Sequence, residues 1–124
     1  MRMLCTELTL DDCVVWKGVV LNDVLPEQLR TSDIFIHDGA TNSLDKTLVE
    51  AALCGCVVLS SNPAYTTETK EFASELLYPV GDYSQLAEIV AKAEAYTELK
   101  QAVTMHFKEK YSVSQLITNI IKHY

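Results

Sequence analysis

The run Thr41–Asn62, TNSLDKTLVEAALCGCVVLSSN, limits the folds open to this chain more than any other segment. It reads as a polar loop, a helix, a glycine stop and a buried strand. Leu44, Leu48, Ala51, Ala52 and Gly55 recur on one helical face, and Glu50 points off that face. Ser43 is placed to cap the first turn, and Gly55 suits the left-handed position that ends a helix. Cys56-Val57-Val58-Leu59 follows as a short apolar strand of the kind covered on both faces in a parallel sheet. A loop leading into a helix start is where an open α/β sheet receives phosphates. The segment therefore predicts both an architecture and the place where function lives.

The flanking sequence extends the pattern. Met1 to Leu10 reads as the end of a helix, and Cys13-Val14-Val15-Trp16 as a strand stopped at Gly18. Pro26 suits the first turn of a short helix through Arg30, ahead of a second strand, Ile34-Phe35-Ile36-His37. Beyond Leu59 a loop of Ser60, Ser61, Asn62 and Pro63 leads to a helix around Glu68 to Glu75, then a strand at Leu76-Leu77-Tyr78. Asp82 with Gln85, and Ser112 with Gln115, are capping signatures before apolar helical faces, and a further helix covers Thr97 to Lys110. Alternating strands and helices predict an α/β fold, with a partial Rossmann-like parallel sheet of about four short strands flanked by helices. At 124 residues the chain, 1–124, is a single domain with one core.

Composition removes some functions. A formal charge of −7 argues against nucleic acid, which needs clustered Lys and Arg, but leaves room for a local anion site. No apolar run approaches the roughly 20 residues that span a bilayer, so a cytoplasmic location is the default. Cys5, Cys13, Cys54 and Cys56 form no metal-type pair and read as structural thiols, with no metal or cofactor expected. His106 and His123, on late helices, read as surface residues.

Taken in order, these segments resemble the nucleotide-sugar-binding domain of GT-B glycosyltransferases, most like the family-four group of retaining enzymes. Cys13-Val14-Val15-Trp16-Lys17-Gly18-Val19-Val20 stands where that family has a strand ending in aromatic-x-Gly-x-Val. Leu25–Leu29 and Ser32-Asp33-Ile34-Phe35-Ile36 are similar to its short helix and "ADIFV" strand. Leu48–Val58 is similar to "LLEAMACGxPVV", and Leu76–Ala87 to "LLVPPGDxxALA". The resemblance implies that Glu50 accepts hydrogen bonds from the ribose hydroxyls of a nucleotide-diphosphate sugar. It implies that the amides of Leu44, Asp45 and Lys46 face the diphosphate, with Ser43 capping and Asn42 touching the donor sugar. His37 and Asp38, at a strand's carboxyl end, are weaker candidates.

Two departures qualify that picture. Asn42 stands where the family carries a glutamate, and Ser43-Leu44-Asp45-Lys46 follows. Asp45 repels a diphosphate, and Lys46 beside it restores attraction. The resemblance also begins inside a helix, which implies that the first two strands, the basic diphosphate residues and the acceptor lobe are absent. The expectation is a C-terminal portion of an enzyme that is cytoplasmic or peripheral at the inner membrane. Its missing lobe would lie in cis or on a separate chain. The rival expectation is a non-catalytic remnant or split-enzyme interaction module. Loss of strands beside Ile34–His37 predicts an exposed apolar edge. Either Cys13–Trp16 repacks on it, or the chain self-associates through it, or stability is marginal.

Overall fold

A computed structural model describes residues 2–39, 41–111 and 121. In chain order the elements are α1 (Arg2–Glu7), α2 (Leu25–Arg30), β1 (Ile34–His37), α3 (Lys46–Leu53), β2 (Val57–Ser60), α4 (Pro63–Ala73), α5 (Tyr83–Ala91) and α6 (Thr97–Lys110). The second capping signature, Ser112 with Gln115, and His123 lie outside the described residues.

The centre is the unit β1–α3–β2. β1 and β2 run parallel with Ile34 opposite Val57 and His37 opposite Ser60. α3 buries Leu48, Ala51 and Ala52 on the face read from the sequence, and Gly55 ends it at φ +88°. A residue with a Cβ is strained at that φ, so glycine lets the chain turn directly into β2. β2 is buried along its whole length, and α6 covers the unit with Val103 and Phe107. Thr104 fastens α6 to the end of α3 by donating its hydroxyl to the Ala52 carbonyl at 2.8 Å. α4 and α6 are clamped together by Glu68, which accepts from His106 at 3.0 Å and from Lys110. His106, expected at the surface, is half-buried there against Phe72.

The protein is α/β, but the sheet differs from the expectation of about four strands: the described residues form two. Leu76-Leu77-Tyr78 is not a strand. Ser74–Leu76 forms a 3-10 turn, and Leu77 makes a single parallel bridge to Ser60. Pro79 has no N–H to continue a ladder, so the pairing stops within two residues. Cys13–Trp16 is not a strand either. The amides of Cys13 and Val14 turn back to the Leu10 carbonyl, and Trp16 lies under the Arg2 guanidinium, 5.6 Å from its ring centre. Four apolar residues without a ladder partner have no reason to stay extended. The repacking of this segment on β1 as a strand therefore does not occur.

α1 has no substantial packing partner among the described elements. Met3, Leu4, Leu8, Val15, Trp16, Val19 and Leu21 are exposed, Val19 to 93%. Among the described residues no helix is long and apolar enough to cross a membrane.

Candidate functional site

At the carboxyl end of the two strands the chain brings together β1's last residue, the loop after it, and the starts of α3 and α4. The α3 start differs from the sequence reading. Asp45, not Ser43, is the cap: its carboxylate accepts from the Thr47 amide at 2.9 Å and the Thr47 hydroxyl at 2.5 Å. Helical geometry begins only at Lys46, so Ser43 lies too far ahead to reach an orphan amide. Ser43 contributes its carbonyl instead, which accepts from Asn62 Nδ2 at 3.1 Å.

The Asp45 cap also ties the helix to the strand. His37 Nε2 lies 3.2 Å from Asp45 Oδ2. An ionised carboxylate only accepts, so Nε2 is the donating nitrogen, and Nδ1 is left buried with no partner among the described residues. The Thr47 hydroxyl, then the Thr47 amide, hold the Asp45 carboxyl below its ordinary range against the opposing effect of burial, with a lesser contribution from His37.

Asn62 is the buried keystone of the second helix start. Its Oδ1 accepts from the Tyr65 amide at 2.9 Å, its amide donates to Ser60 Oγ at 3.0 Å, and Nδ2 reaches Ser43 and Thr41. One side chain thus caps α4 and holds the loop ahead of α3. Asp38 gathers three hydroxyls: Ser61 at 3.1 Å, Tyr78 at 3.4 Å and Tyr83 at 2.9 Å. The Asp38 carboxylate raises the Tyr83 phenol above its ordinary value by accepting its proton in a hydrogen bond. Burial, followed by Asp38, does the same for Tyr78.

The residues singled out in the sequence divide on this geometry. His37, Asp38, Asp45 and the Ser43 carbonyl meet at the strand ends. Glu50 sits one turn along α3, half-buried, with Oε1 3.4 Å from Lys46 Nζ. Asn42 is exposed, and its side chain makes no hydrogen bond with a described residue. Leu44 is half-buried against the core and precedes the cap, so its amide is not one of the helix-start donors, whereas the amide of Asp45, the N-cap, is. Two of the four donors at the start of α3 are engaged inside the chain, Thr47 by the Asp45 carboxylate and Leu48 by the Asp45 carbonyl at 3.1 Å. The arrangement supplies carboxylates and hydroxyls for hydrogen bonding, and an anion reaching these amides must displace Asp45.

Asn62, Tyr78 and Tyr83 are among the residues of the cluster that went unread in the sequence as site residues, as are Ser60, Ser61 and Thr47. Asn62 carries a signal, since Asn before Pro is a cap followed by the preferred first helical residue. Tyr78 and Tyr83 carry none, because only the folded chain places them beside Asp38, 40 and 45 residues away.

Three clefts lie elsewhere. One of about 480 Å³ runs along α5 past Glu75 and Glu88. Another of about 560 Å³ lies at the amino ends of the strands, between Asp33, Val57 and Lys100. The third, about 380 Å³, lies between Gly55 and Thr104. Among the described residues no group of three or more His, Cys, Asp or Glu is placed to hold a metal ion. In comparisons with known proteins no family model, no curated protein and no solved structure matches the chain.

Proposed function

We propose that the chain is the donor-binding portion of a retaining GT-B glycosyltransferase. It would hold a nucleotide-diphosphate sugar, and the full-length enzyme would pass the sugar to a glycan, lipid or other acceptor. The observation that carries this reading is the β1–α3–β2 unit. Two parallel strands are joined by a helix that opens at their carboxyl end, with its cap touching the last residue of β1. Ligands of open parallel sheets sit at that end. The resemblance in Leu48–Val58 falls on the last two turns of α3 and the start of β2, the part of the unit where segment and element coincide. In this reading the two strands belong to a larger Rossmann-like parallel sheet, and the acceptor lobe lies in cis or on a separate chain. Glu50 would then take the ribose diol on its two oxygens.

A specific observation favours the second reading, a non-catalytic remnant or interaction module. The Asp45 carboxylate occupies the anion position at the start of α3, and Lys46 is paired with Glu50. Titration of the labelled chain with uridine diphosphate and with guanosine diphosphate, followed through backbone amide shifts, separates the two. The donor-binding reading expects weak binding with shifts at Lys46, Thr47 and Glu50. It also expects tightening in Asp45→Ser, which keeps a capping oxygen and removes the charge, and loss in Glu50→Ala. Silence of those amides at millimolar nucleotide in Asp45→Ser would leave only the interaction module.

A further inference from the structure

We propose that the cleft at the amino ends of the strands binds a free α-amino acid with an aliphatic side chain, its carboxylate and its ammonium each met by protein charge. The cleft holds about 560 Å³, within the range of small-molecule sites. One wall is the corner between α2 and β1, with Arg30 and Asp33. The other is the 3-10 turn Ala93–Tyr96 and the start of α6, with Glu94 and Lys100. Each wall thus presents one base and one acid.

None of these four side chains makes a hydrogen bond or an ion pair with another described residue; the ion pairs lie elsewhere, on Asp45, Glu50 and Glu68. Both signs are therefore open to a ligand in one cleft. A simple anion meets two carboxylates there and a simple cation meets two bases, so each is repelled as well as attracted. A zwitterion avoids that conflict. Arg30, whose guanidinium takes both oxygens of a carboxylate, and Lys100 hold one end, and Asp33 and Glu94 accept from the ammonium at the other.

The backbone repeats the pattern. Val90 and Ala91, the last residues of α5, and Thr97, the first of α6, all line the cleft. The carbonyl end of one helix favours a cation and the amide end of the next an anion. The α6 cap, Tyr96, gives no side-chain hydrogen bond to the free amides. Between the charges the surface is aliphatic, from Ile34 and Val57 on the strands to Val90, Ala91 and Ala93 opposite, and no aromatic ring lines it. Burial against these side chains favours a branched aliphatic amino acid such as leucine.

The test titrates the full, isotope-labelled chain with leucine, 4-methylpentanoate and isoamylamine, followed through backbone amide shifts at low salt. The second compound is leucine without its ammonium and the third is leucine without its carboxylate, so the alkyl chain is kept in both. Saturable leucine binding is expected, with shifts at Asp33, Gly55 and Thr97, and each analogue should bind about threefold more weakly or worse. Arg30→Gln and Glu94→Gln, both at exposed positions, should weaken leucine to the same extent while the core amides of Val58 and Leu59 stay in place. Absence of shifts at those three amides up to the solubility of leucine overturns the proposal. So does a smaller loss with either analogue or either variant, since one charge would then be idle. None of these readouts depends on nucleotide binding, so the donor-site reading stands or falls separately.

Discussion

Asn62 shows how much one polar side chain holds at the strand ends. It is fully buried, and its amide group joins the start of α4 to the loop ahead of α3. Asn62→Ala removes a cap and leaves the Ser43 carbonyl without that donor. The expected cost is about 2 kcal/mol, read as a shifted midpoint in urea unfolding at unchanged slope. Gly39 is constrained by close approach: a Cβ there would lie 2.6 Å from His37 Cε1. Gly39→Ala therefore has to push the imidazole away from Asp45. The expected outcome is a moved His37 ring resonance in a two-dimensional NMR spectrum, with the core amides of Val58 and Leu59 unchanged. An unmoved ring would mean that the loop yields instead.

At the scale of elements, the α4–α6 clamp converts a local ion pair into helix packing. Burial alone would raise the Glu68 carboxyl, but hydrogen bonds from Lys110 and His106 outweigh it and hold the group below its ordinary value. A carboxylate depressed by folding stabilises above its unfolded value, about 4.3 for glutamate, and loses that contribution as pH falls through the folded value. Glu68→Gln should lower stability by about 1 kcal/mol at neutral pH, a fall of about 4 °C in Tm. The gap between the native and variant Tm should close on acidification below about pH 4. A gap that persists at pH 3 would locate the effect in packing against Phe72 instead. Asp45 obeys the same sign in the same acid window, so α3 should lose its cap as its carboxyl protonates.

At the scale of the whole molecule, burial is uneven. The core runs through α3, β2, α4 and α6, and among the described residues nine of the seventeen exposed large apolar side chains precede Leu25. Regions with few buried contacts open at little cost, whereas core strands exchange only on larger openings. Amide hydrogen exchange should accordingly leave residues 10–24 unprotected, with Val57–Leu59 the slowest. Protection of both segments at the same free energy would contradict that division.

Local rules suffice where a residue's partner lies within a turn or two. The buried face of α3, the stop at Gly55, Pro26 in α2, the Asp82 cap of α5 and the bounds of α6 all follow from spacing and capping chemistry. The competition between Ser43 and Asp45 for the α3 cap was not legible, because His37 and Thr47 decide it together and His37 arrives from another element. Strand count failed for the same reason. An apolar tetrapeptide reads alike whether it pairs or not, and Cys13–Trp16 has no ladder partner while Val57–Ser60 has β1. Sequence by itself determined the buried face of α3, its stop at Gly55 and the bounds of α6, since these rest on contacts of short range, whereas α4, read around Glu68 to Glu75, starts at Pro63 and ends at Ala73. Only the tertiary structure decided which oxygens meet at the strand ends and which apolar segments pair as strands, because both depend on segments brought together from far apart in the chain.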